Sequence, residues 1–221
     1  MAKDLENTMI DNNIYLLNQI SAETTNGLIM QLTQWVNALP ITQQNQSTPK
    51  KIYTPYETIP GNIPVLNVWI NSSGGNSVQT NSMLNMFYMA SARGTIIKTY
   101  NIGRASSSAS MIAVSGTHGY RYMGEDTFNM IHYGNSKFEI DHPRENEYNN
   151  INFKKHLKAM YNLYQRNTRL TKKELQKYFA TECAGQLYAD QCLTKGVCDW
   201  VITNDGRFVN SVSELKNQKQ R

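Results

Sequence analysis

The fold is decided by the stretch Ile96-Ile-Lys-Thr-Tyr-Asn-Ile102, followed by Gly103, Ala105-Ser-Ser-Ser-Ala-Ser110 and Met111-Ile-Ala-Val114. The first run predicts a strand and the last predicts a helix, so the two meet at a turn crowded with hydroxyl groups. A second strand-like run, Thr127-Phe-Asn-Met-Ile-His-Tyr133, places a histidine near its end. The sequence thus offers a candidate serine nucleophile at a strand-to-helix turn and a candidate general base on another strand, as acyl transfer requires.

A third element lies upstream, where the predicted strand Val65-Leu-Asn-Val-Trp-Ile-Asn71 runs into Ser72-Ser73-Gly74-Gly75. Two glycines directly after a strand allow the backbone to adopt positive φ and to turn an NH outward, where it can donate to an oxyanion. A structural role for the serine and the histidine stays open as the alternative, because serine is common at helix N-caps and a single histidine near a strand end is more often structural.

Composition places few limits on function. The 221 residues are 40% hydrophobic, which fits one well-buried α/β domain. The net charge of +5 is spread along the chain, so a solvated surface is favoured over a nucleic-acid site. Cys183, Cys192 and Cys198 form no zinc or disulfide pattern, and neither a signal peptide nor a membrane span is apparent. We therefore expect a cytoplasmic location.

Alternating strand and helix patterns predict stacked parallel units within one domain of residues 14–203. Residues 1–13 are expected to be a mobile segment, 41–62 an inserted loop rich in Gln, Asn and Pro, and 204–221 a polar tail. Predicted helices begin at Ser21, after Gly75, after Pro143, at the capping box Thr171-x-x-Glu174 and at Leu187. The insertion is interpreted as a tolerated surface loop, with a replaced docking edge as the alternative.

Three motifs in this order resemble the ClpP family, the proteolytic subunits of ATP-dependent Clp proteases. Asn71-Ser-Ser-Gly-Gly75 is similar to the family's Asn-Ser-Pro-Gly-Gly loop, and Gly103-Arg-Ala-Ser-Ser107 to its Gly-Gln-Ala-Ala-Ser turn. Asn129-Met-Ile-His132 is similar to its Val-Met-Ile-His strand. Weaker matches, Ile14–Ile20 and Gly196-Val-Cys-Asp199, extend the resemblance over residues 14–203.

The resemblance implies an α/β, crotonase-like fold of stacked strand-strand-helix units with a protruding handle helix. It also implies a serine endopeptidase that assembles into heptameric or tetradecameric rings and works beside an AAA+ unfoldase, with no metal or other cofactor in this subunit. Ser107 would be the nucleophile and His132 the general base, and the NH groups of Gly75 and Ser108 would form the oxyanion hole. Only the motif register selects Ser107, because Ser106 and Ser108 have the same chemistry.

The chain departs from the family pattern at the third member of the triad. Alignment from Gly196 and Leu187 places Ala184 where the family has its aspartate, and the nearest acid is Glu182. Ser73 and Gly134 also replace two loop prolines. Three alternatives follow: a catalytically weak or inactive ring component, a phage maturation protease, and a crotonase-type acyl-CoA enzyme.

Overall fold

The computed structural model describes residues 7–40, 51–132, 143–180 and 185–218. The strands are β1 Thr8–Ile10, β2 Asn13–Leu16, β3 Val65–Ser72, β4 Ile96–Ser106, β5 Arg121–Gly124, β6 Phe128–Ile131, β7 Gly185–Tyr188, β8 Trp200–Ile202 and β9 Phe208–Val209. The helices are α1 Ala22–Ala38, α2 Ser77–Ala92, α3 Ser108–Val114, α4 Pro143–Asn167, α5 Lys172–Ala180, α6 Ala189–Lys195 and α7 Val212–Gln218. The chain is therefore a mixed α/β protein.

A single sheet joins all the described strands in the order β1-β2-β3-β4-β5-β8-β9. The pairs from β2 to β8 along this path are parallel, whereas β1 and β9 close its two edges as antiparallel strands. The remaining strand β6 pairs in parallel with β4 and carries β7 antiparallel on its other side. Strand β4 thus has two partners on one edge, β5 along its first half and β6 at its end.

Local signals in the sequence begin α1 and α5 and end α6 as expected. Ser21 caps α1, because its hydroxyl accepts from the NH of Thr24 and the Thr24 side chain accepts in return from the Ser21 NH. The predicted box at Thr171 and Glu174 likewise begins α5, with both reciprocal hydrogen bonds formed. Helix α6 ends at Gly196, whose φ of 63° favours glycine.

The helices cover one face of the sheet and form the main core with it. Buried side chains from α1, α2 and α3 meet those of the central strands, including Leu32, Phe87, Ile112, Val68 and Ile97. Burial of such apolar area stabilises the fold by roughly 25 cal/mol per Å². In the part of the chain that the structure describes, no helix is long and apolar enough to cross a membrane.

The opposite face of the sheet carries a row of stacked aromatic rings. Trp69 stacks on Tyr100 with ring centroids 4.2 Å apart, and Tyr100 stacks on Tyr122 at 4.8 Å. Residues 51–62 are the described part of the predicted insertion, and Tyr53 and Ile59 pack there against a buried cluster of Ile96, Tyr120 and Tyr122. The Tyr53 NH donates to the Tyr120 hydroxyl at 2.7 Å. The rest of that insertion, 41–50, lies outside the described residues.

One expectation about secondary structure needs correction. Residues from Leu187 onward were predicted to be helical, but Gly185–Tyr188 forms β7, and helix α6 begins only at Ala189. The pairing of β7 with β6 overrides a short local pattern that fits either structure. The predicted segment 1–13 includes β1, and the predicted tail 204–221 includes β9 and α7. Met9, Val209 and Leu215 of these elements are buried in the core.

The long helix after Pro143 forms as predicted, but its aromatic face has a partner within the chain. Tyr161 and Tyr164 of α4 lie against Phe179 of α5, with ring centroids 4.9 and 6.1 Å apart. This end of the aromatic face therefore packs against the chain's own α5, with Tyr164 fully buried and Tyr161 partly exposed.

Candidate active site

Ser107 occupies a strained turn between β4 and α3. Its φ of 55° and ψ of −124° are unusual for a residue other than glycine, a conformation that costs on the order of 1–3 kcal/mol and is concentrated at functional sites. The Ser107 NH donates to the carbonyl of Met130 at 2.8 Å, and its own carbonyl accepts from the Ser110 NH at 2.9 Å. Hydrogen bonds on both sides thus hold the turn in place.

The turn distinguishes Ser107 from its two serine neighbours. Ser106 is buried within β4, where it pairs with Met130 of β6. Ser108 is also buried, and its hydroxyl donates to the carbonyl of Gly75 at 2.8 Å. Ser107 alone of the three is partly exposed. Its side chain is therefore the one accessible to a substrate at this turn.

His132 follows β6 directly, at the same end of the sheet as Ser107. The parallel pairs Ala105–Asn129 and Ser106–Met130 run up to this end, so the chain leaves both strands side by side. Adjacent strands lie about 4.8 Å apart, and His132 is partly exposed. The structure thus brings together the two chain positions that the sequence predicted as nucleophile and base.

The glycine loop after β3 approaches the same turn. Gly74 and Gly75 have φ values of 86° and 146°. A Cβ atom on Gly74 would lie 2.4 Å from the carbonyl oxygen of Ser106, 2.8 Å from the Ser107 Cβ and 2.9 Å from the Ser108 nitrogen. Only glycine allows this close approach of the loop to the nucleophile.

Two NH groups at this position are candidates for binding an oxyanion. The bridge between the loop and Ile20 uses the carbonyl of Gly74 and the NH of Asn76, so the Gly75 NH takes no part in it. Ser108 is the first residue of α3, and an NH at that position has no intrahelical acceptor. Gly75 thus lies next to Gly74, which approaches the Ser107 turn, and Ser108 directly follows Ser107.

Position 184, where the family has its aspartate, and Glu182 both lie outside the described residues. What the structure does describe is the next residue, Gly185, which pairs with Ile131 of β6. Ile131 directly precedes His132. Position 184 is therefore covalently bonded to a residue that pairs beside the histidine.

Sequence reasoning missed a buried polar chain behind the site. The Tyr164 hydroxyl donates to Ser110 Oγ at 2.8 Å, and Ser110 Oγ donates to Asn129 Oδ1 at 2.6 Å. All three side chains are buried. The available signal was Asn129 itself, a polar residue at an inward position of an otherwise apolar strand.

Elsewhere in the described residues, neither His118 nor a group of metal-binding side chains forms a second candidate active site. His118 lies with the Arg121–Asp199 ion pair, where burial and the neighbouring guanidinium lower the pKa of the imidazole. Among the residues described, no three His, Cys, Asp or Glu side chains gather in a way that would hold a metal ion.

One known protein family matches most of the chain. The model of the Clp protease family matches residues 61–205, which include the glycine loop, the Ser107 turn, His132 and β8. Among curated proteins, no sequence matches the chain significantly.

We predict that Gly74→Ala lowers the rate at which a fluorophosphonate labels Ser107 by roughly 100-fold, since displacements of about 1 Å at a reacting group have effects of this size. The methyl group would displace the Ser106–Ser108 backbone. Gly94→Ala is the matched control, because Gly94 has a similar φ of 83° but nothing within 4 Å of an added Cβ. Equal labelling rates for the two variants would contradict the assigned contact.

Proposed function

The chain belongs to the Clp protease family, and we propose that it is a serine-type endopeptidase with Ser107 as nucleophile and His132 as general base. One observation carries the proposal. A serine with positive φ stands at the carboxyl end of β4, next to the end of the histidine strand and against a glycine loop. That combination is typical of an activated serine turned toward a substrate carbonyl.

In the proposed reaction, Ser107 Oγ attacks the carbonyl carbon of the scissile peptide while a ring nitrogen of His132 takes the hydroxyl proton. The negative charge that develops on the carbonyl oxygen is bound by the NH groups of Gly75 and Ser108. The C–N bond then breaks, and His132 returns the proton to the leaving amine. Water, deprotonated by His132, attacks the acyl-enzyme, releases the acid product and restores the Ser107 hydroxyl.

The first test removes each serine of the turn separately. Ser107→Ala should abolish both peptide hydrolysis and fluorophosphonate labelling, because no other hydroxyl at the turn is accessible to a substrate. Ser106→Ala and Ser108→Ala should retain much of both activities, since alanine keeps the backbone NH at position 108. Labelling of the Ser107→Ala protein at the wild-type rate, located by peptide mass spectrometry, would exclude this nucleophile.

We further propose that Ser107 and His132 act as a pair without the usual third member of the triad, because Ala184 stands at the family's aspartate position. Their activity is weakened as a result. In a well-characterised serine protease, loss of the triad carboxylate lowers turnover by about 10⁴, because the histidine is no longer held in the correct tautomer. Position 184 directly precedes Gly185, which pairs with Ile131, the residue before His132. The family resemblance assigns the triad carboxylate to position 184. Glu182 is the alternative third member.

Ala184→Asp should therefore raise peptide turnover well above that of the wild type. Ala184→Asn is the matched control, because it has the same shape without the charge and should give no such gain. Glu182→Ala should leave basal turnover nearly unchanged in assembled protein. Loss of turnover in Glu182→Ala, together with no gain in Ala184→Asp, would instead identify Glu182 as the third member.

Family membership also supports a ring assembly, with seven subunits or two stacked rings, that receives unfolded protein from an AAA+ partner. The described surface offers exposed apolar side chains for contacts between subunits, among them Ile10, Met30 and Val78. Native mass spectrometry at micromolar concentration should show about seven or fourteen copies. A monomer under these conditions would reject the ring.

The crotonase-like fold remains part of this proposal, supported by the parallel strand-helix units on one sheet. An acyl-CoA enzyme would share such a fold and a backbone oxyanion hole. The strained Ser107 turn favours the peptidase, because an enzyme that uses only an oxyanion hole needs no nucleophile there.

A further inference from the structure

Three buried side chains connect the two halves of the candidate site to helix α4. Ser110 and Tyr164 are fully buried, and Asn129 is 2% exposed. The hydrogen bonds run in one direction, from Tyr164 Oη to Ser110 Oγ and from Ser110 Oγ to Asn129 Oδ1. Each hydroxyl donates to the next acceptor, so the chain has a defined polarity.

Each member is attached to a different part of the site. Ser110 lies in the first turn of α3, and its NH donates to the Ser107 carbonyl at 2.9 Å. Asn129 lies on β6, three residues before His132, and pairs with Ala105 of β4. Tyr164 lies on α4. The Ser110–Asn129 bond is therefore a direct side-chain link between the nucleophile helix and the histidine strand.

The protonation state of Tyr164, the first donor in this series of hydrogen bonds, does not change in the pH range where proteins function. Burial raises the pKa of the Tyr164 hydroxyl well above its usual value, although the Ser110 hydrogen bond opposes this effect. Tyr164 thus stays protonated and fixes the direction of both hydrogen bonds. A buried polar chain in which every hydroxyl has a partner specifies one arrangement of the elements that it joins.

We propose that Ser110, Asn129 and Tyr164 are positioning residues that set the spacing between Ser107 and His132, and that helix α4 is thereby coupled to the reactivity of the nucleophile. The proposal rests on the function proposed above. It does not come from the family resemblance, since the Val-Met-Ile-His strand of the family has valine at the place of Asn129.

A purely structural role is the competing explanation, and Thr99 provides the control for it. Thr99 Oγ1 donates to the Ala113 carbonyl at 2.8 Å, so it also forms a buried hydrogen bond to α3, but at the far end of the helix from Ser107. Thr99→Val removes that bond with little change of shape. Ser110→Ala removes the link to the histidine strand.

With a fluorogenic peptide, Ser110→Ala should lower kcat by roughly 10- to 100-fold and leave KM nearly unchanged, because misplacement of the dyad affects the chemical step. Thr99→Val should leave both constants near the wild-type values even where it lowers the unfolding midpoint. Equal effects of the two variants on kcat would overturn the proposal.

The triple variant Ser110→Ala/Asn129→Val/Tyr164→Phe guards against misfolding, because all three members are replaced together and none is left buried without its partner in the series. It should fold, show the same loss of kcat, and exchange the Ser107 amide hydrogen at least tenfold faster than Thr99→Val, since the Ser107–Met130 hydrogen bond loses its support. Wild-type exchange and kcat in the triple variant would overturn the proposal.

The exchange measurement, made by mass spectrometry on a peptide spanning residues 104–112, separates the two proposals. If wild-type Ser107 resists the fluorophosphonate, the peptidase proposal fails, and faster exchange in the triple variant still supports the positioning chain. If wild-type Ser107 is labelled but the triple variant is labelled equally fast, the peptidase proposal stands and the positioning chain is rejected.

Discussion

The hydrogen bonding of β4 to three strands is the constraint on which the rest of the structure depends. Residues 96–101 and Ala105 of this 11-residue strand pair with β3 along one edge, while residues 99–101 pair with β5 and 104–106 with β6 along the other. The register with β3 shifts after Ile70, which leaves extra residues in β4 and bends the strand between its two partners. The bend carries β4 from the main sheet to the histidine strand.

The absence of side chains at two glycines also allows β3 and its loop to approach the bend in β4. A Cβ on Gly103 would lie 2.6 Å from Asn71 Oδ1, so the absence of a side chain there lets the Asn71 side chain lie against β4. The constraint at Gly74 is stricter, because an added Cβ would meet the backbone of the Ser107 turn. The glycines of both motifs are thus explained by the close approach of β3 and its loop to β4, and the strain at Ser107 is supported by the packing on either side.

The sequence could predict the features that depend on neighbouring residues, but not those that depend on residues far apart in the chain. The strand-to-helix turn at Ser107, the cap at Ser21 and the box at Thr171 depend on neighbouring residues, and the structure has all three elements as expected. Strand β7 was missed because only its pairing with β6 makes it a strand. The Tyr164–Ser110–Asn129 chain joins residues far apart in sequence, so no short pattern could predict it.

The length of β4 separates the predicted insertion from the candidate active site. The described part of the insertion, 51–62, ends just before Val65, which pairs with Ile96 at the amino ends of β3 and β4. The Ser107 turn lies at the other end of β4, about 30 Å away at ~3.3 Å per residue. An insertion that enters there can lengthen, shorten or change composition over evolutionary time while the turn, the glycine loop and the histidine strand keep their geometry.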